Sequence, residues 1–300
     1  MNWKSKICLG TAQFGNIYGI TNKNKKQISV EEIKKFLLLL KKNKINFIDT
    51  ALAYKNVDKK ISKTKISLSN FNIITKIPKP NKKKYFSENK IYHKILASKK
   101  KLRIKSFYAV LLHDCNNIKV EEILKVKNIF NMLKENNHTK KIGVSLYNIE
   151  ELNFVLKFFV PDVIQVPLNI FDKSFIKKNI LKKLSKHKIE IHVRSIFLQG
   201  LLLKNNDALK KQFLPWANLF LRWDNYCNKY QISKLQAATN FIFNTSKIKK
   251  IVVGFTNLNE FIEFLSLNIK KSKNIPEFEV KKQKNIEKLI KPYNWNKRKK

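Results

Sequence analysis

Short apolar runs alternate with stretches whose apolar residues recur at helical spacing along nearly the whole chain. The runs predict strands at Lys6–Leu9, Ile45–Asp49, Phe71–Lys76, Phe107–Leu112, Lys141–Ser145, Val163–Val166, Ile189–Ser195 and Ile251–Gly254. Between them the spacing predicts helices. Ser29 caps the first, with Glu31 and Glu32 in the turn where negative charge is favoured. Further helices are expected over Val57–Ser67, Ser87–Ile104, Val120–Glu135, Ile149–Phe159, Phe175–His187, within Leu209–Tyr230, over Ser233–Asn244 and over Leu258–Leu267. A surface helix at Lys282–Ile290 precedes the end of the chain. Pro78, Pro80 and Pro161 supply stops.

None of the runs shows a clean in/out alternation, as expected of parallel strands covered on both faces. The order is strand, helix, strand, helix, with eight strands. Such a chain closes as an α/β (β/α)8 barrel, a fold of about 250 residues plus insertions. The 300 residues fit one such domain, with the barrel over about residues 5–275 and a helix and basic tail over 276–300. A doubly wound sheet is the alternative. It would lean on a G-x-G-x-x-G turn, and the chain has none.

Composition adds two points. The net charge of +42 permits binding to nucleic acid or an anionic surface. The lysines are spread throughout, however, beside many Asn and Ile, and arginine, the residue suited to bidentate phosphate contacts, is scarce. An A/T-rich codon bias accounts for all of this, so no dedicated nucleic-acid partner is expected, and the run Lys297–Lys300 reads as a solvated tail. Cys8, Cys115 and Cys227 are odd in number, far apart and without a CxxC. They predict neither disulfides nor a metal site. No apolar run approaches a membrane span and no signal-peptide core follows Met1. A cytoplasmic protein is expected.

In a barrel the C-terminal strand ends form the active-site face. At those ends the sequence places Asp49 and Tyr54, Lys76, His113, Ser145, Gln165, Arg194 and Ser195. A buried carboxylate is expensive unless paired, and Lys76 is a partner for Asp49. A tyrosine hydroxyl, with an ordinary pKa of about 10, is a poor acid at neutral pH. A nearby ammonium favours its phenolate form. His113 can hydrogen-bond a substrate oxygen, so the set suits giving a proton to a carbonyl oxygen. Taken singly, each member has an ordinary structural reading: an ion pair, a satisfied histidine, a packed loop tyrosine. Their arrival in order at successive strand ends carries the stronger signal.

Those residues also carry a likeness. Leu9-Gly10-Thr11-Ala12-Gln13-Phe14-Gly15, Ile48-Asp49-Thr50-Ala51-Leu52-Ala53-Tyr54, Thr75-Lys76, Leu111-Leu112-His113, Gly143-Val144-Ser145, Gln165-Val166-Pro167-Leu168-Asn169 and Val252-Val253-Gly254 resemble the aldo/keto reductases over almost the full length. The resemblance implies a catalytic tetrad of Asp49, Tyr54, Lys76 and His113, with Tyr54 as general acid. It implies NADPH, with NADH as the alternative, lying extended across the barrel mouth. By position, Ser145 and Gln165 match carboxamide partners, and Gly10 and Thr11 lie at the nicotinamide end. Arg194, beside Ser195, stands where the family has a ring stacked on nicotinamide. The stretch from Leu198 through Gly200 resembles the pyrophosphate-side loop. Gly254, Phe255, Thr256 and Asn257 occupy the phosphate-side turn. Here the sequence departs from the family, with Asn257 and Asn259 in place of basic residues, Phe264 in place of an adenine-contacting Asn, and Glu260 and Glu263 adding negative charge.

The opening Gly10–Gly15, with Tyr18-Gly19-Ile20, resembles bacterial members of sugar metabolism, so the expected partner is a small carbonyl substrate, sugar-derived in one reading. The expected function is NAD(P)H-dependent reduction of an aldehyde or ketone. The alternatives are a cofactor-binding regulatory or scaffold barrel with little turnover, and a nucleic-acid or anionic-surface binder.

Overall fold

The computed structural model describes residues 3–15, 27–80, 87–205, 209, 211–269, 278, 280, 283–292 and 295. Eight strands close into a barrel in sequence order: β1 Ile7–Gly10, β2 Phe47–Asp49, β3 Asn72–Ile77, β4 Phe107–Leu112, β5 Thr139–Ser145, β6 Val163–Pro167, β7 Glu190–Arg194 and β8 Ile248–Val253. All neighbours are parallel, and β8 pairs with β1 to close the ring. The doubly wound alternative is thereby excluded. The helices are α1 Ala12–Gly15, α2 Val30–Lys42, α3 Val57–Lys63, α4 Glu88–Leu102, α5 Val120–Glu135, α6 Ile149–Val155, α7 Lys178–Lys186, α8 Ala217–Lys229, α9 Lys234–Asn244, α10 Leu258–Ser266 and α11 Ile286–Ile290.

The strand side chains sort into two sets. Cys8, Phe47, Ile74, Ala109, Leu111 and Val163 form one apolar cluster, and a larger one fills the space between strands and helices. Alternation along a strand assigns the first set to the barrel interior. Two residues further along, the same face carries Asp49, Lys76, His113 and Gln165. The apolar plug and the polar mouth are thus successive layers of one face. Gly143 is required by the closeness of the strands, because a Cβ there would lie 2.1 Å from the Val163 carbonyl oxygen.

At the opposite end Glu190 accepts hydrogen bonds from Tyr108 (2.8 Å) and Lys141 (2.6 Å), with His192 Nε2 3.3 Å away. Burial pushes Glu190 upward, but these donors outweigh it and hold the carboxyl at about 2. The floor of the barrel is a charged network around Glu190 rather than an apolar seal.

Several boundaries differ from expectation for physical reasons. The helix expected to reach Phe159 ends at Val155 and gives way to turns bonded through Lys157, Phe158 and Phe159. The Phe175–His187 helix is split, because Lys177 is extended (ψ 141°) between a 3-10 turn, Ser174–Ile176, and α7. The loop after β7 contains a 3-10 segment, Leu198–Leu203, in which Leu198, Gln199 and Gly200 take positive φ. The final helix is shorter than Lys282–Ile290. The Tyr18-Gly19-Ile20 stretch, the Lys297–Lys300 run and the expected boundary at residue 276 lie outside the described residues. No described helix is long and apolar enough to cross a membrane.

Candidate active site

β2 delivers Asp49 to the C-terminal mouth with its side chain almost fully buried. The register Gly10↔Asp49 and Asp49↔Ile74 sets its height. Thr11 fixes the backbone there, since both its amide and its hydroxyl donate to the Asp49 carbonyl oxygen at 2.9 Å. Lys76, on the next strand, ion-pairs with Asp49 Oδ1 and also donates to the Thr50 carbonyl oxygen at 3.0 Å. The other carboxylate oxygen accepts from Gln165 Nε2 at 2.8 Å. The buried carboxylate therefore has one charged and one neutral donor, which offsets its desolvation.

Tyr54 follows on the β2–α3 loop, whose backbone is tied down by Leu52 N donating to the Lys76 carbonyl oxygen and Tyr54 N to that of Ala51, both at 3.0 Å. Its ring is half-buried and meets the His113 ring edge-on, with centroids 5.8 Å apart. The Lys76 ammonium lies 5.8 Å from the Tyr54 centroid. His113, just past β4, is held by its amide bond to the Ile77 carbonyl oxygen at 3.0 Å. Burial, followed by the charges of Lys76 and Arg194, drives its pKa down to about 3. It is neutral throughout the physiological range.

That depression has a stability consequence. The unfolded chain binds this proton near pH 6.5, whereas the folded chain does so only near 3. The unfolded state therefore binds more protons in between, and stability is lost as the pH falls from about 6.5 towards 3. His113→Gln should flatten that part of the pH–stability curve in urea melts at pH 4 to 8. An unchanged slope would refute the neutral, desolvated histidine.

These four side chains open on a cavity of about 1110 Å³. Ligand pockets commonly span about 300–1,000 Å³, so the space is generous. Of the expected site residues, Asp49, Tyr54, Lys76, His113, Gly10, Ser145, Gln165, Arg194, Ser195, Gly200, Gly254, Phe255 and Thr256 line it. Thr11, Leu198 and Asn257 do not. Thr11 braces Asp49, Leu198 is buried, and Asn257 caps α10 by accepting from Glu260 N. Gln165 does more than its strand position suggested, because its amide is tied to Asp49. The Arg194 guanidinium lies 4.2 Å from the centroid of the Tyr147 ring and donates to the Leu146 carbonyl oxygen at 3.3 Å.

Sequence reasoning did not single out Tyr147, Lys204 or Lys234, which also line the cavity. Tyr147 had a usable signal, standing two residues past Ser145 at a strand end. The two lysines were hidden among the many others. The wall thus combines hydroxyl, amide, guanidinium and ammonium groups with aromatic faces, and with the carboxylates of Glu260 and Glu263 on one side; the donors fit an anionic dinucleotide.

A closed parallel barrel with a polar cavity at its C-terminal mouth defines a protein of the (β/α)8 class. Within it the chain belongs to the aldo/keto reductase family, whose model matches residues 6–282. It is therefore an oxidoreductase of a family that uses nicotinamide cofactors. The fold is similar to that of the glycerol dehydrogenase from Gluconobacter oxydans, with TM-score 0.67 and 18% identity over 96% of this chain and 92% of that one. It is equally similar, with TM-score 0.67, to an aldo-keto reductase from Bacillus halodurans in its holo form, at 15% identity over 97% of this chain and 94% of that one. No curated protein sequence matches the chain.

Proposed function

We propose that the protein reduces the carbonyl group of a small aldehyde or ketone to an alcohol, with Tyr54 as the proton donor. The carrying observation is the pairing of a Lys76 ammonium near the Tyr54 ring with a neutral His113. A bound nicotinamide supplies the hydride equivalent. The chain's own residues handle the proton. Tyr54 releases it to the substrate oxygen, and the Lys76 charge stabilises the phenolate left behind. Asp49 pairs with Lys76 and aims it, and Gln165 and Thr11 hold Asp49 in turn. His113, with a pKa of about 3, cannot serve as the acid at neutral pH and is left to hydrogen-bond the substrate oxygen. Ser145, Ser195 and Arg194 would hold the nicotinamide end of the cofactor.

The polar wall favours a hydroxylated substrate, and the glycerol dehydrogenase among the structural neighbours suggests where a survey should begin. We place the protein in the cytoplasm, because all three of its cysteines are buried and unpaired. The test is dinucleotide binding followed by NADH and NADPH oxidation across a panel of hydroxyaldehydes, hydroxyketones and simple aldehydes. Turnover of at least one carbonyl is expected. Tight binding with no turnover across the panel would favour the regulatory barrel instead.

A further inference from the structure

The start of α10 and the loop just before it open into the cavity through Glu260 and Thr256. A helix start of this kind, with free amides and a favourable dipole, is a ready site for phosphate. Here the amides of Thr256, Leu258 and Glu260 are already taken by the protein's own side chains. Thr256 N donates to Glu260 Oε2 at 2.7 Å, and the Thr256 hydroxyl to Glu260 Oε1 at 2.6 Å. Leu258 N donates to Glu32 Oε1 at 3.0 Å, reaching across from α2. Glu260 N donates to the Asn257 side chain at 3.0 Å. Glu263, one helical turn of spacing further on, adds another carboxylate to the same wall. The lysines and arginine of the cavity stand on other elements: Lys76 on β3 is paired with Asp49, Arg194 ends β7, Lys204 follows the 3-10 segment, and Lys234 begins α9, paired with Asp224 at 2.6 Å.

We propose that this chain selects a dinucleotide without a 2′-phosphate, NADH over NADPH, through Glu260 and Glu263 on the first turns of α10. The proposal rests on the reading of the cavity as a nicotinamide-dinucleotide site. Among the described residues, this end of the cavity offers a phosphate dianion two carboxylates and no free amide at Thr256, Leu258 or Glu260. Like charges brought together in this way are a discriminating element. A ribose bearing its free hydroxyls faces no such penalty, because a carboxylate accepts hydrogen bonds from hydroxyl groups. The discrimination is a property of the wall and does not require turnover.

The experiment is equilibrium titration of the full chain with NADH and with NADPH, by calorimetry and by quenching of tryptophan fluorescence, at low and physiological salt. NADH should bind about tenfold or more tightly than NADPH, with the gap narrowing as salt rises. In Glu260→Gln and Glu263→Gln the ratio should fall severalfold, chiefly by tighter NADPH binding. Glu263 is exposed, so its variant should fold even if the Glu260 change disturbs the turn. NADPH binding as tightly as NADH, or a ratio untouched by both substitutions, overturns the proposal and leaves the oxidoreductase reading standing. Binding of neither dinucleotide overturns both.

Discussion

Tyr54→Phe should lower kcat for any accepted carbonyl by about 10²–10⁴-fold, the usual contribution of a positioned general acid. The change removes one oxygen from a half-buried ring and keeps the ring that meets His113 edge-on. The unfolding free energy from urea melts should therefore change little, by roughly 0.5 kcal/mol or less. Dinucleotide affinity should stay within about twofold, because the hydroxyl is assigned to the substrate oxygen and to the developing phenolate. The loss should appear in kcat and kcat/KM together, the mark of an interaction made in the transition state. Unchanged turnover would remove Tyr54 from the chemistry. His113 is no substitute, since at about 3 it holds almost no proton to give at neutral pH.

The barrel was legible because each strand is a short apolar run and each helix has one apolar face, and both periods depend on neighbours only a few residues away. Phe107–Leu112 and Val120–Glu135 match their expected bounds for that reason. The errors fall where tertiary contacts override local pattern. β8 starts at Ile248 although Lys249 and Lys250 look like solvent-facing residues. Lys250 is instead buried, donating to the Ser5 carbonyl oxygen at 2.7 Å with its ammonium 3.7 Å from the centre of the Phe47 ring. No local rule places a lysine there.

The site was legible in a different way. Asp49, Lys76 and His113 end consecutive strands, so a barrel brings them together whatever the loops do. Side-chain partners that depend on the far side of the ring were not legible. Gln165 reaches Asp49 across 116 positions of sequence. Arg194 was expected to offer a plane to the nicotinamide, and it lies over Tyr147. The carboxylates of α10 were visible as negative charge, but the hold of Glu260 on the Thr256 amide just ahead of the helix, and the arrival of Glu32 from α2 at the Leu258 amide, required coordinates.

The Asp49–Lys76 pair can be tested for two roles at once. Lys76→Met should destabilise the protein by about 3–5 kcal/mol, because it leaves a carboxylate uncompensated in a buried setting. Only Gln165 then serves that side chain. Lys76→Met combined with Asp49→Asn removes both charges and keeps an oxygen to accept from Gln165. Most of the lost stability should return, giving a favourable coupling of about 0.5–3 kcal/mol in a double-mutant cycle. Turnover should not return, because no ammonium remains to stabilise a Tyr54 phenolate. Urea unfolding and steady-state kinetics on the two single variants and the double variant separate the roles. A double variant as unstable as Lys76→Met would mean that charge compensation is not what the pair contributes to the fold. A Lys76→Met protein that folds and turns over normally would show that the proton leaves Tyr54 without help. The expected pattern, stability restored and catalysis still absent, holds only if the same buried pair stabilises the barrel mouth and tunes the acid beside it.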